Sequence, residues 1–176
     1  FGQVEWLVDL RLDEAQTLQQ YYFCLCIATV HYDDFQSLVW LVREFGVQAL
    51  QLDKKLPLNI LHLAAYFGRK EITYYLRTLD TWQLWLDQPV KRGKFKGMYA
   101  AHVAVSEGHL DLVKLFIKDG CPQVDLNKKS VHLYASLSNH DFVVEWSKNN
   151  EESLQLDVDA KQFLQLLQSP DRDRLL

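Results

Sequence analysis

The chain contains an internal repeat, and this repeat constrains the fold more strongly than any other feature of the sequence. Residues 61–72, LHLAAYFGRKEI, align without gaps with residues 101–112, AHVAVSEGHLDL, at an offset of 40 positions. A third copy, VHLYASLSNHDFVV, begins at Val131 and needs one inserted residue to align, and a weaker fourth copy, CIATVHYDDFQSLVWLV, begins at Cys26. Repeats of this length are typical of solenoids, in which each unit packs only on its neighbours.

Each copy predicts two short helices joined by a tight turn. The first helix carries small residues, among them Ala64 and Ala104, which let neighbouring backbones come close, and Gly68 and Gly108 follow at the turn. The second helix carries apolar residues at i, i+3 and i+4, which are Ile72, Tyr75 and Leu76 in one unit, Leu112, Leu115 and Phe116 in the next, and Leu38, Leu41 and Val42 in the first. Because neither helix can bury its apolar face alone, the pattern predicts an all-α solenoid of stacked helix pairs.

These residues resemble the ankyrin repeat, whose signature runs T-P-L-H-x-A and is followed by a glycine turn and a second helix. The resemblance covers residues 26–147 and is strongest in ILHLAAYFG and AHVAVSEGHLDLVKLFIKDG. The Thr-Pro start is replaced by Asn59-Ile60, Tyr99-Ala100 and Lys129-Ser130. The resemblance therefore implies a divergent ankyrin-type α-solenoid of about four units, at about 26–53, 54–93, 94–126 and 127–147.

Both ends depart from the repeat. The apolar spacing from Asp13 to Val30 indicates one long helix, so residues 1–25 are predicted to form an amino-terminal helical cap. Residues 148–176 are predicted to form a capping helix that ends before Pro170, followed by a loose tail. Since the chain begins with Phe1, we expect it to be a piece of a longer polypeptide.

The sequence contains no residue pattern typical of an enzyme: no Gly-rich phosphate loop, H-E-x-x-H, G-x-S-x-G or C-x-x-C is present. The ankyrin resemblance implies a structural role for the histidines that open the first helices, His62, His102 and His132. The cysteines lack metal-ligand spacing and are interpreted as buried thiols in a reducing compartment: Cys24, Cys26 and Cys121. We therefore expect no catalysis, no cofactor and no metal.

The middle units repeat at 40 residues, about seven more than the roughly 33 of an ankyrin repeat. The extra residues fall within DTWQLWLDQPVKRGKFKG, residues 80–97, and insertions in solenoids commonly lie in loops on the binding face. In one interpretation, Trp82, Trp85 and Leu86 continue the second helix and pack on the next unit, which leaves the cations in solvent. In the other, the insertion is a finger that binds an acidic partner through Trp82, Trp85, Lys91, Arg92, Lys94, Phe95 and Lys96. Phosphate contacts are a third and less favoured interpretation, because the net charge of the chain is −4.

The resemblance also implies that a partner lies on the concave face, at the positions that follow the small residues of each first helix. Carried onto this sequence, these positions are Tyr66, Phe67, Ser106, Glu107, Ser136 and Leu137. Two adjacent aromatic side chains at one helix end cannot both point into a core, so at least one of Tyr66 and Phe67 is expected to be exposed or to be covered by a ligand. Packing of both against the next unit is the alternative.

The first functional hypothesis is a monomeric, non-catalytic adaptor or targeting module that binds another protein with an acidic patch. No run approaches the roughly 20 apolar residues of a membrane span, and neither membrane nor nucleic acid is expected as a partner. The expected location is the cytoplasm or nucleus, or the host cytoplasm if the chain is a bacterial effector. The alternative is a regulatory or substrate-presenting segment of a larger multidomain enzyme or of such an effector.

Overall fold

The computed structural model describes residues 18–50 and 57–149, and these residues form stacked helices. The helices are α1 Leu18–Tyr32, α2 Phe35–Phe45, α3 Ile60–Phe67, α4 Lys70–Arg77, α5 Trp82–Leu86, α6 Ala100–Ser106, α7 Leu110–Lys118, α8 Val131–Leu137 and α9 Asp141–Asn149, with a short 3-10 helix at Val47–Leu50. In the described ranges the only β pairing is an isolated antiparallel bridge between Val124 and Ser130. The predicted all-α solenoid is confirmed. Most of the predicted amino-terminal cap and nearly all of the predicted carboxy-terminal cap lie outside the described residues.

The helices form two layers, as the repeat predicts. The first helices α1, α3, α6 and α8 pack side by side in chain order, and we call them the first-helix layer. Each of the helices α2, α4, α7 and α9 packs on the first helix of its own unit, and these form the second-helix layer. Ala64 and Ala104 are fully buried where first helices meet. The predicted apolar stripes of the second helices are confirmed as core, with Tyr75 alone only partly buried.

Side chains cap the first helices in place of the missing Thr-Pro start. The Asn59 side-chain oxygen accepts a hydrogen bond from the His62 backbone N–H at 2.9 Å, and His62 Nδ1 accepts one from the Asn59 backbone N–H at 3.1 Å. In the fourth unit the Ser130 hydroxyl accepts from the Leu133 backbone N–H at 3.1 Å. Each bond satisfies an amide that the helix itself leaves unpaired, so these helices start at defined residues.

The turns after α3 and α6 are each tied to the end of the preceding first helix. Arg69 Nε donates to the Val30 carbonyl at 2.9 Å, and its guanidinium also reaches the His31 carbonyl. One unit further on, His109 Nε2 lies 3.1 Å from the Tyr66 carbonyl. Because these contacts cross from unit to unit, the ends of the first helices are held in a fixed relation to each other.

The insertion forms a separate helix, so the interpretation in which Trp82, Trp85 and Leu86 pack on a neighbouring unit is wrong in making them a continuation of the preceding helix. Helix α4 ends at Arg77, a turn follows, and α5 begins at Trp82. All three predicted side chains are nonetheless buried. After this turn, α5 packs on the next unit, where the Trp82 ring lies 5.9 Å from the ring of Phe116 in α7.

Candidate functional site

Residues 90–98 of the insertion form a hairpin that carries four exposed cations. The Val90 N–H donates to the Met98 carbonyl and the Gly97 N–H donates to the Val90 carbonyl, both at 2.8 Å. The Lys91 N–H donates to the Pro57 carbonyl at 2.9 Å, which attaches the hairpin to the preceding unit. The exposed cations are Lys91, Arg92, Lys94 and Lys96. We call this segment the basic hairpin.

The aromatic residues of the insertion lie in the core and not on the surface. Trp82, Trp85 and Phe95 are 8%, 3% and 5% exposed. The Trp85 carbonyl accepts a hydrogen bond from the Asn59 side-chain amide at 3.0 Å, which joins α5 to the start of α3. These side chains therefore position the basic hairpin, and the surface available to a partner consists of its cations.

The basic hairpin contacts the carboxyl ends of two first helices. The Phe95 ring lies 5.7 Å from the ring of Tyr66, at the end of α3, and Lys94 Nζ lies 3.5 Å from a carboxylate oxygen of Glu107, just after α6. The same ammonium group lies 4.8 Å from the centre of the Phe95 ring. The insertion and the first-helix ends, which the sequence analysis assigned to the same partner, therefore contact each other.

Tyr66 and Phe67 are both partly buried and belong to a chain of aromatic contacts. Their ring centroids are 4.9 Å apart, and the Phe67 ring lies 4.9 Å from the ring of His31 in the preceding unit. The Arg69 guanidinium lies 5.6 Å from the Phe67 ring centre. Burial, with the Glu107 charge adding to it, raises the pKa of Tyr66 above its ordinary value. Both aromatic residues thus keep a part of their surface accessible on a rigid support.

The remaining predicted residues lie at the ends of α6 and α8, which are neighbours in the first-helix layer. The Ser106 hydroxyl donates to the His102 carbonyl at 2.9 Å, and the Ser136 hydroxyl donates to the His132 carbonyl at 3.1 Å. Leu137 is 49% exposed. Ser106 thus lies at the same helix end as Glu107, and Ser136 and Leu137 lie at the end of the next first helix along the layer.

A second hairpin extends the basic surface. Residues 124–127 resemble an ankyrin hairpin segment in sequence, but the sequence analysis did not assign them to partner binding. Residues 124–131 turn back through the bridge between Val124 and Ser130, and their tip carries exposed Leu126, Lys128 and Lys129. We call this segment the lysine hairpin. The available signal was the lysine pair in DLNKKS, which stands in the connection to the fourth unit.

Asp125 organises the lysine hairpin from inside. Its carboxylate accepts hydrogen bonds from the Asn127 and Lys129 backbone N–H groups, both at 2.8 Å, and from the Tyr134 hydroxyl at 2.9 Å. The Asn127 side-chain amide adds a further bond at 3.1 Å. Burial raises the pKa of Tyr134, and its hydrogen bond to Asp125 raises it further. The aspartate is 5% exposed, so its negative charge faces the interior.

Burial shifts the pKa values of histidines and cysteines among the described residues. Burial lowers the pKa of His62 to about 3 and that of His102 to about 4, so both imidazoles are neutral at pH 7. Burial raises the pKa of Cys26 and of Cys121 to about 12, which leaves these thiols protonated and weakly nucleophilic. Across residues 18–50 and 57–149, no group of three or more His, Cys, Asp or Glu side chains is arranged to hold a metal ion. No helix in these ranges is both long and apolar enough to span a membrane.

Residues 61–146 match the family model described as ankyrin repeats, in three copies. The matched region contains both hairpins and the first-helix ends at Tyr66, Glu107 and Leu137. No curated protein matches the chain.

Proposed function

Because this chain is an ankyrin repeat protein over residues 61–146, we propose that it is a non-catalytic adaptor or targeting module that binds a partner protein across the first-helix ends and the basic hairpin. Ankyrin repeats are generally protein–protein interaction modules. The observation that carries the proposal is the contact of the basic hairpin with both first-helix ends, Phe95 on Tyr66 and Lys94 on Glu107. This contact makes one binding surface out of two sequence regions.

The surface combines the two properties that protein interfaces use. Tyr66 and Phe67 offer partly buried aromatic rings, and such rings on a rigid support are frequent sites of high binding energy. The basic hairpin, whose Phe95 contacts Tyr66, adds exposed cations to this surface. Exposed charges at the edge of an interface mainly raise the rate of association. A partner with an acidic patch beside an apolar contact fits this arrangement. We propose that the module acts as a monomer in the cytoplasm or nucleus, without a cofactor.

Affinity capture with a matched pair of variants tests the proposal. The parent chain, biotinylated at one end, is used to capture proteins from a cell extract beside the quadruple variant Tyr66→Ala, Phe67→Ala, Lys94→Glu and Lys96→Glu. The control variant Lys114→Glu with Lys118→Glu reverses two exposed charges on α7, in the second-helix layer. Circular dichroism establishes that every variant is folded before capture.

We expect the parent and the control variant to capture the same protein and the quadruple variant to lose it. The captured protein should then bind the purified parent directly, which separates a partner from a contaminant of the extract. Capture of the same protein by the quadruple variant would mean that the interface lies elsewhere on the chain and would end the proposal. Loss of the protein from the control variant alone would place the interface on the second-helix layer and would also end it.

A further inference from the structure

The two hairpins form one edge of the molecule because their backbones are bonded to each other. The Leu126 N–H donates to the Gly97 carbonyl at 3.0 Å, and the Asn127 side-chain amide donates to the Lys96 carbonyl at 3.0 Å. A Cβ atom at Gly97 would lie 2.7 Å from the Asn127 amide nitrogen, so the glycine permits this close approach. We call the combined surface of residues 90–98 and 124–131 the hairpin edge.

The hairpin edge is cationic in a chain whose net charge is −4. Lys96, Lys128 and Lys129 are exposed, and none of them forms an ion pair with another residue of the described part of the chain. The acidic residue nearest in sequence to Lys128 and Lys129 is Asp125, which is buried and accepts a hydrogen bond from the Lys129 backbone N–H. The outward charge of the lysine hairpin is therefore positive only, which attracts anionic groups.

Leu126 is an apolar side chain set among these lysines. It is 65% exposed although it follows the buried Asp125 directly. Its position is well defined, because Asp125 binds the backbone on the far side of the turn and Lys128 has the left-handed φ of 60° that closes the turn. Because the bond from its N–H to the Gly97 carbonyl holds Leu126 beside Lys96, this side chain offers an apolar contact at the place where the lysines attract an anionic segment.

We infer that the hairpin edge binds an acidic segment of a protein, which places one large apolar side chain on Leu126 and its carboxylates on Lys96, Lys128 and Lys129. The inference rests on the proposed protein-binding function and names the chemistry of the partner segment. It adds the lysine hairpin to the surface, and it requires an apolar residue within the acidic run.

Two other anionic partners fit the edge less well. Single-stranded nucleic acid binds through exposed aromatic rings that stack on bases, and Phe95, the only aromatic residue of the hairpin edge, is 5% exposed. An anionic membrane surface binds an extended apolar face, and Leu126 is a single apolar side chain among lysines. The combination of several cations with one leucine favours a peptide.

Fluorescence anisotropy with synthetic probes tests the inference on the full chain. The main probe is a short fluorescein-labelled peptide in which one leucine stands between runs of aspartate and glutamate. The comparison probes are the same peptide with serine in place of leucine, an oligothymidylate of similar charge, and phosphatidylserine vesicles. The variants are Leu126→Ser and the triple variant Lys96→Glu, Lys128→Glu and Lys129→Glu. A control triple variant, Arg43→Glu, Lys114→Glu and Lys118→Glu, makes the same change in net charge at exposed positions of the second-helix layer.

We expect the leucine peptide to bind more tightly than the serine peptide. Leu126→Ser should weaken binding of the leucine peptide about fivefold and leave the serine peptide nearly unchanged, because only the leucine peptide loses an apolar contact. The hairpin triple variant should weaken both peptides about tenfold or more, and the control triple variant less, since the local charges act at short range. Failure of the leucine peptide to bind, equal affinity for both peptides, or tighter binding of oligothymidylate or vesicles would each overturn the inference.

The outcome is distinguishable from failure of the proposed function. If the quadruple variant Tyr66→Ala, Phe67→Ala, Lys94→Glu and Lys96→Glu loses the captured protein while Leu126→Ser and Lys128→Glu with Lys129→Glu retain it at parental affinity, the module binds protein without the lysine hairpin. In that case this inference is wrong and the proposed function stands. If the quadruple variant retains the captured protein, the proposed function itself fails.

Discussion

The imidazole ring of His109 lies on Gly68, and a Cβ atom added to Gly68 would come within 2.5 Å of that ring. Gly68 ends α3 with a φ of 68°, a left-handed conformation that L side chains rarely adopt. The next unit repeats the arrangement, because a Cβ atom at Gly108 would lie 2.7 Å from the ring of His140. Turn therefore packs on turn along the stack, and this packing fixes the first-helix ends that carry the candidate surface.

Gly68→Ala should destabilise the chain through both strain and steric conflict. We expect the free energy of unfolding to fall by roughly 2–4 kcal/mol, the sum of a left-handed alanine and an overpacked contact. Gly93→Ala is the matched control, because Gly93 also has a positive φ, 86°, but has no atom within 4 Å of an added Cβ. It should cost about 1–2 kcal/mol. Urea unfolding followed by circular dichroism measures both, and equal losses would show that the His109 ring moves aside.

Ala104→Leu tests the close approach of the first helices. Ala104 is fully buried, so added methyl groups should overpack the layer and cost about 1–3 kcal/mol of unfolding free energy. Ala28, the small residue of the first unit, is only partly buried and lines an open surface pocket of about 310 Å³ beside Leu25 and Trp40. Ala28→Leu should therefore cost clearly less in the same denaturation experiment. An undiminished stability of Ala104→Leu would mean that the repeat register assigned here is wrong.

The buried histidines should make stability depend on pH between 6.5 and 4. Burial lowers the pKa of His62 and His102 from 6.5 to about 3 and about 4, so below pH 6.5 the unfolded chain binds more protons than the folded chain. Stability is then complete above pH 6.5 and is lost as the pH falls, by at most about 1.4 kcal/mol per pH unit for each histidine.

Urea unfolding at several pH values measures this slope. The variant His62→Gln cannot titrate at that position and should show a shallower slope, whatever its stability at pH 7. Asp111 does not contribute to this slope, because its hydrogen bond with Lys70 lowers its pKa from 3.8. The stability that this pair contributes is lost only below the pH range of the experiment. A flat profile from pH 6.5 to 4.5 in the parent chain would contradict the buried, neutral state of both imidazoles.

Two ion pairs join α4 to the α7 region, and they should differ in strength. Arg77 makes a bidentate contact with Asp119 at 2.5 and 2.7 Å, and the Asp119 side chain is 10% exposed. Lys70 and Asp111 form a single contact between side chains that are 59% and 60% exposed. Double-mutant cycles with alanine should therefore give a larger coupling free energy for Arg77 with Asp119. Salt at 1 M shortens the screening length to about 3 Å, and it should reduce this coupling less because the Asp119 side chain is largely buried. Equal couplings would mean that solvent screens both pairs alike, and a larger coupling for Lys70 with Asp111 would contradict the prediction.

With a captured partner in hand, two classes of variant should change different rate constants. Lys94→Glu with Lys96→Glu should slow association and flatten its dependence on salt, because these exposed charges act during the encounter. Tyr66→Ala or Phe67→Ala should speed dissociation by roughly the factor that corresponds to 1–3 kcal/mol, once circular dichroism has shown that the variant is folded. Surface plasmon resonance at low and high salt separates the two effects. Identical changes in both rate constants for both classes would contradict the assigned roles.

The predicted helix pairs and their buried stripes agree with the structure because helical periodicity and the small-residue pattern are local properties of the sequence. Leu112 and Phe116 are about one helical turn apart, so they lie on the same face of the helix, and both are buried in the core. The insertion was harder, because its apolar residues Trp82 and Trp85 have a helical spacing that fits a continued helix as well as a new one. The turn that separates α4 from α5 reflects packing against α7 in the next unit, and the sequence near the turn does not contain that information.

The candidate site also combines features that the sequence predicts with contacts that only the stacking of units creates. The sequence by itself determined that the chain stacks helix pairs, that Tyr66 and Phe67 stand at a first-helix end, and that the insertion carries a cluster of cations. Only the tertiary structure decided that Phe95 is buried against Tyr66, that Lys94 reaches Glu107, and that Leu126 and its lysines lie beside Lys96. The physical reason is that helical periodicity acts between residues three or four positions apart, whereas these contacts join segments that stacking alone brings together. They are a hydrogen bond, an ion pair and ring packing between residues up to 31 positions apart.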